Sequence, residues 1–207
     1  MKRYLLILNY NNYPNTLGLL KSIDPSWFNE IVVVDNASKN NSFKKLKEET
    51  VDYVNVSIIS SAVNGGYAAG NNIGLEYLQS KYTEGVVVIA NPDVRFSESF
   101  VIEAGKIIES IPIAGAVTGM ISNHHSAWKY FSPVKSMLIS SELVRKLLPK
   151  VAERKYYKFN LDQHSDYEPV DIILGALFVI KIDVMKEISN FDSNTFLYNE
   201  ENILYEK

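Results

Sequence analysis

Asp35 closes the apolar run Ile31–Val34. A carboxylate at the end of a buried strand is costly to desolvate unless it meets donors. A ribose diol or a uracil N–H would supply them, and so would a cap or turn through Asn36-Ala37-Ser38, where Asx residues are at home. Asp93 sits on the turn Asn91-Pro92-Asp93, directly after Val86–Ala90. One carboxylate on a rigid turn suits a hard cation, Mn²⁺ or Mg²⁺, that is also held by phosphate oxygens, although Pro-Asp is equally a common turn dipeptide. Glu200-Glu201 follow Phe196-Leu197-Tyr198. Adjacent acids at a helix start favour the helix dipole, and in a cleft one of them serves as a general base. Asn64-Gly65-Gly66, Gly70 and Asn71-Asn72 form a glycine-rich passage into a helix. Such a passage lets backbone amides approach an anion, and it also reads as an ordinary turn. Tyr10, between Asn9 and Asn11, is placed to stack on a base, while His124, His125 and His164 have no ligand spacing and read as surface residues.

These clusters share a position. Asn9-Tyr10-Asn11, Asp35-Asn36, Asn64-Gly65-Gly66 and Asn91-Pro92-Asp93 each follow an apolar strand: Arg3–Leu8, Ile31–Asp35, Val54–Ser60 and Val86–Ala90. Strands apolar at every position and separated by helix-length segments indicate a parallel sheet covered on both faces. Ligands of such sheets bind beyond the carboxyl ends of the strands. Helices are expected over Pro14–Ile23, Ser42–Glu49, Tyr67–Gln79 and Ser97–Ser110, the last capped by Ser97. A fifth strand is expected at Ile113–Thr118, and the βαβα alternation to that point indicates an α/β fold. Beyond Gly119 the pattern becomes irregular and aromatic (Trp128, Tyr130, Phe131), with a helix at Ser140–Leu148. Val170–Lys181 reads as one long strand, followed by a helix that Asp183 would cap, and the chain ends at the start of another helix. The chain thus divides into a regular α/β half, residues 1–118, and an irregular half, 119–207, of one domain.

The 207 residues carry a formal net charge of -3, which argues against a nucleic-acid binder working by phosphate neutralisation. With no cysteine, disulfides, thiolate metal sites and cysteine nucleophiles are excluded, consistent with a reducing, cytoplasmic setting. The apolar stretch Tyr4–Leu8 is too short for a secretory signal, and Ile172–Ile180 is about half a membrane span. The chain is soluble or at most rests on a membrane. The basic run Arg145–Lys158 reads as a solvated helix face, with an anionic surface contact, such as the inner face of the plasma membrane, as its alternative.

In order and spacing, ILNYNN, EIVVVDNAS, NGGYAAGNNIGLEY, VVVIANPDV and VDIILGALFVIKIDVMKEISNFDSNTFLYNEEN resemble the family-2 glycosyltransferases. The likeness is to the bacterial branch with rhamnosyltransferases and other polysaccharide-building enzymes, and it omits only about residues 120–165. The resemblance implies a single A-type α/β domain, Rossmann-like, with a mainly parallel sheet, in which residues 1–118 are the nucleotide-binding half and 119–207 the acceptor-binding half. It implies inverting transfer of a sugar from a nucleoside diphosphate donor, UDP- or dTDP-linked, to a glycan or lipid-linked acceptor hydroxyl. By the same similarity Leu8, Asn9, Tyr10, Asn11 and Asp35 border the nucleoside. Asn64, Gly65, Gly70, Asn71 and Asn72 line the nucleotide and diphosphate. Asn91 and Asp93 correspond to the family's Asp-x-Asp metal motif, Asp93 being its remaining carboxylate, and Gly175 and Ala176 flank the acceptor. Glu201 occupies the place of the family's catalytic Asp, one methylene longer, with Glu200 the alternative base. Family members generally continue well past this point, so the resemblance implies a truncated C-terminal side.

Other classes fit less well. A dinucleotide oxidoreductase needs Gly-x-Gly-x-x-Gly after the first strand, where this chain has Asn9-Tyr10-Asn11-Asn12. A sugar nucleotidyltransferase would place a basic, glycine-rich loop there. A degenerate glycosyltransferase domain that binds nucleotide or a partner without turnover is the non-enzyme alternative.

Overall fold

A computed structural model describes residues 1–120, 126–132, 135, 141–150, 156, 167–197 and 200–207, with backbone alone at 143–145. The main sheet begins with β1 (Arg3–Asn9), whose Tyr4, Leu5, Leu6 and Ile7 are fully buried. To one side lie β2 (Glu30–Asp35), buried along its whole length, and the edge strand β3 (Val56–Ser60); to the other lies β4 (Val86–Ala90). All four run parallel, and the register sets Asn9 beside Asp35 and Asp35 beside Ser60. The polar residues that follow these strands are therefore brought to one edge. Two further strands extend the sheet antiparallel, giving the order β3-β2-β1-β4-β8-β5, with β5 at Ala116–Val117 and β8 at Leu177–Lys181.

Helices α1 (Tyr13–Ser22), α2 (Ser42–Glu49), α3 (Gly66–Lys81) and α4 (Glu98–Ser110) follow the first four strands and pack on the sheet or on one another. Ser97 caps α4 as expected, accepting from the Phe100 amide. Glycines 70 and 74 let α3 lie close: a Cβ at Gly70 would meet the Leu8 side chain. The remaining elements are β6 (Ala127–Trp128), α5 (Glu142–Leu147), β7 (Ile172–Ile173), α6 (Ile182–Glu187) and α7 (Glu200–Glu206).

Four sequence expectations are corrected. Val54–Ser60 is not apolar-buried throughout, because β3 is an edge strand and half-buried. Ile113–Thr118 shrinks to two paired residues, with Ile113 exposed. Val170–Lys181 is not one strand: β7 pairs with β6 in a separate two-stranded sheet, and β8 joins the main sheet after a turn at Gly175-Ala176. Asp183 does not cap α6, which starts one residue earlier with Lys181 at the cap; Asp183 accepts instead from the Val184 amide.

The chain forms two compact units, Met1–Gly119 with Gly175–Lys207, and Met120–Leu174. Within the second, the Tyr130 amide donates to Asp171 Oδ2 and the Leu174 amide to the Ser126 carbonyl. The three histidines and much of the basic run lie outside the described residues. Among the described residues no helix is long and apolar enough to cross a membrane.

At the amino end of the main sheet sits a polar cluster that the apolar pattern of β2 conceals. Glu30 is 5% exposed and accepts from Lys81 Nζ (2.6 and 2.7 Å), Tyr82 (2.8 Å), Tyr77 (2.9 Å) and Ser57 (2.9 Å). Burial alone would raise its carboxyl. The hydrogen bonds outweigh that and hold it below the usual carboxylate range, while Lys81 is pushed up chiefly by its bond to Glu30. The cluster staples α3 to β2 and β3 at the edge opposite the polar strand ends.

Candidate active site

Asn9 is fully buried: its Nδ2 donates to Asp35 Oδ2 (2.8 Å), and its Oδ1 accepts from Thr16 Oγ1 (2.9 Å). Asp35, 2% exposed, also accepts the Ser38 amide on Oδ1 (2.9 Å). These two residues, expected to border a nucleoside, brace the loops after β1 and β2, and Asp35 has only leftover lone pairs for a ligand. The loop faces are held together as well. Asn11, with φ of 55°, donates its amide to Ser38 Oγ (2.7 Å) and accepts the Lys39 amide on Oδ1 (2.8 Å). Tyr10, the neighbour of Asn11, is 40% exposed.

Asn36, which sequence reasoning had only as a strand-end marker, knits β2 to the loop before α3. Its Nδ2 donates to Asn64 Oδ1 (2.9 Å) and to the Gly66 carbonyl (3.0 Å), and its Oδ1 accepts from Ser61 Oγ (3.2 Å). Gly66 has φ of 82°, and a Cβ there would run into the Phe196 backbone. Only glycine suits that conformation at that approach. Asn64 and Gly65 remain half-exposed at the edge.

The other α3 candidates turn inward. Gly70 is a packing position against Leu8. Asn71 is 1% exposed and donates to the Tyr67 carbonyl (2.9 Å). Asn72 is 8% exposed and clamps the far segment: Nδ2 donates to the Phe191 carbonyl (2.9 Å), and Oδ1 accepts the Phe191 amide (3.0 Å). In this arrangement Asn72 seats the chain that leads to the acid pair, while Asn71 bonds within its own helix, and both side chains are buried.

That chain returns beside α3, where the Tyr67 amide donates to the Phe196 carbonyl (2.8 Å). Glu201, half-exposed in the first turn of α7, accepts the Gly175 amide on Oε1 (2.9 Å). Glu200 is 5% exposed. Tyr67 donates its hydroxyl to the Gly175 carbonyl (2.7 Å). Desolvation first, then the charges of Glu201 and Glu200, push its phenol far above the ordinary value. One residue on, the Ala176 carbonyl accepts the Asn91 amide (2.8 Å). The Gly175-Ala176 turn thus ties the acid pair to the Asn91-Pro92-Asp93 turn.

Asp93 is exposed and has no hydrogen bond or ion pair with a described residue. Among the described residues no three His, Asp or Glu side chains converge as a metal site. A free oxygen donor fits a hard cation that takes its other ligands from phosphate oxygens.

Residues 4–188 match the family described as Glycosyl transferase family 2. The chain belongs to that family. At 25% identity over 197 residues it is similar to the low-salt glycan biosynthesis hexosyltransferase Agl10 of Haloferax volcanii, covering 95% of this chain and 58% of that protein. In fold it is similar to the mannosyltransferase PcManGT of Pyrobaculum calidifontis in complex with GDP-Man and Mn²⁺, with TM-score 0.60 and 18% identity over 94% of this chain and 48% of that one. It is also similar to GalNAc-T7 with UDP, GalNAc and Mn²⁺, with TM-score 0.64 and 14% identity over 98% and 39%. At these identities the structural likeness speaks to fold, the A-type α/β domain with a mainly parallel sheet. The chain spans 58% of its curated relative's length and less than half of either solved chain. Four residues that brace the candidate site were not among the expected site residues: Asn36, Ser38, Thr16 and Tyr67. Asn36 and Ser38 carry a signal, polar side chains just after a buried strand; Thr16, inside α1, and Tyr67, one of 13 tyrosines, carry none.

Proposed function

We propose that this family-2 chain transfers a hexose from a nucleoside diphosphate sugar to an acceptor hydroxyl with inversion. The observation that carries the proposal is the Gly175-Ala176 turn, which holds the Glu201 carboxylate through one amide and meets the Asn91-Pro92-Asp93 turn through the next carbonyl. A base and a cation-binding carboxylate linked through one turn are what a single displacement at an anomeric carbon needs. Glu201 takes the proton of the acceptor hydroxyl as its oxygen attacks the anomeric carbon from the face opposite the diphosphate. Tyr10, Asn11 and Asn64 are the exposed groups for the nucleoside and phosphates. A Mn²⁺ or Mg²⁺ held by Asp93 would neutralise charge on the leaving diphosphate.

Hexose as the class follows the names of the relatives. A rhamnosyltransferase-like role in bacterial cell-surface polysaccharide, in the cytoplasm at the inner membrane face, rests on the motif resemblance. The test compares Glu201→Gln with Glu200→Gln in the longest natural form of the protein. Glu201→Gln keeps nucleotide-sugar affinity by calorimetry and loses about 10²–10⁴ in turnover, as removal of a general base does. Glu200→Gln keeps much of both. Full turnover in Glu201→Gln, or the opposite ranking, rejects the assignment.

A further inference from the structure

We propose that Tyr67 is a positioning residue for Glu201, acting through the Gly175 peptides; this rests on the reading of Glu201 as general base. Every part of Tyr67 is engaged. Its amide donates to the Phe196 carbonyl, its carbonyl accepts from Asn71 Nδ2, and its ring meets Phe191 edge-on at 5.8 Å between centroids. What remains is the hydroxyl, and it donates to the Gly175 carbonyl at 2.7 Å. A phenylalanine would serve the packing equally well, so the hydroxyl has one partner and one effect: it fixes the orientation of Gly175.

Gly175 is held from both sides. Its carbonyl takes the Tyr67 proton, its amide donates to Glu201 Oε1 at 2.9 Å, and the next carbonyl accepts from Asn91. Glycine has the freest backbone of any residue, so an unanchored Gly175 amide would not point to one place. The donated amide occupies Oε1 and leaves Oε2 to receive a proton. Hydrogen bonds to a carboxylate are directional and stronger than neutral ones, and an error of about 1 Å in the position of a reacting group costs about 10²-fold in rate.

The test uses Tyr67→Phe, Glu201→Gln and the double variant, with a readout that needs no substrate. In ¹⁵N-labelled protein, amide exchange at Gly175 is at least tenfold faster in Tyr67→Phe than in the wild type, while the thermal midpoint moves little. Unchanged Gly175 protection overturns the proposal whatever the activity. In turnover, followed as nucleoside diphosphate release from UDP-GlcNAc and GDP-mannose with Mn²⁺, Tyr67→Phe lowers kcat about 10- to 100-fold with donor KM within twofold. Adding Tyr67→Phe to Glu201→Gln costs nothing further, because the group it positions is gone; multiplicative losses overturn the relay. A fully active Glu201→Gln sinks the base assignment and this inference with it. An inactive Glu201→Gln beside a fully active Tyr67→Phe sinks this inference alone.

Discussion

Replacing Gly175 with alanine adds one methyl group at the point where the turn meets Glu201, the proposed base. A Cβ built there would lie 3.0 Å from Glu201 Cδ and 3.1 Å from Cγ, and closer still to Oε1, a crowding that real Cβ atoms do not sustain. Ordinary contact begins near 3.4 Å, so the carboxylate must withdraw by something on the order of 1 Å. It then loses the Gly175 amide, a hydrogen bond to a charged group worth about 1.5–3 kcal/mol. The displacement alone costs about 10²-fold in the chemical step. The backbone is not the obstacle, since Gly175 is not among the positive-φ residues. On the proposed assignment of Tyr10, Asn64 and Asp93 to the donor, donor binding should be untouched, since none of them contacts Gly175. The assay is nucleoside diphosphate release from a panel of UDP- and GDP-sugars at saturating donor, with calorimetric donor affinity measured alongside. Gly175→Ala should lose about 10²-fold in kcat and less than twofold in donor affinity. A variant with kcat within twofold of wild type would refute the argument that this turn holds the base. A matching loss of donor affinity would place the turn on the donor side.

Asp93→Ala should abolish the Mn²⁺-dependent part of UDP or GDP binding in calorimetry while leaving the nucleoside unaffected; wild-type binding that ignores EDTA would remove the cation from the site. Glu30→Ala should destabilise the fold by about 3 kcal/mol in urea titration, the lower end for breaking a buried pair because Lys81 keeps access to water. Because the Glu30 carboxyl is held below its ordinary value in the fold, its contribution is fully present above the usual carboxylate pKa and fades as pH falls through the lowered one. The wild type should therefore lose its advantage over Glu30→Ala on acidification, and a constant difference across pH would contradict the cluster's role.

The central strands were legible because a parallel sheet buried on both faces leaves uninterrupted apolar runs, and β2 and β4 match the runs Ile31–Asp35 and Val86–Ala90 closely. The same logic failed at Val170–Lys181, where apolar residues continue unbroken while the chain passes from one sheet to another. Hydrophobicity reports burial and is silent on which sheet provides it. At the candidate site, a polar residue after a buried strand marked a shared edge of the sheet but not the direction of its side chain. Asn9 and Asp35 lie at that edge and spend their hydrogen bonds on loop closure. Glu30 shows the complementary error, a charged first residue of β2 that the apolar pattern passed over and four side chains surround.

The stretch NGGYAAGNNIG looks like a phosphate loop, and the packing gives it a different first task. Gly66 admits the Phe196 backbone, Gly70 lets α3 rest on Leu8, Tyr67 fixes Gly175, and Asn72 grips Phe191 through both backbone groups. Three of these four contacts reach residues more than a hundred positions later in the chain. Two of them tie the helix to the segment that delivers Glu200 and Glu201, and the third to the turn that Glu201 meets. The cost of closing so long a loop grows only slowly with its length, whereas holding its end in register needs specific directional bonds at the point of arrival. The small and amide residues of α3 supply those bonds, so a substitution such as Asn72→Ala, well away from any exposed ligand group, loosens the acid pair before it touches the nucleotide.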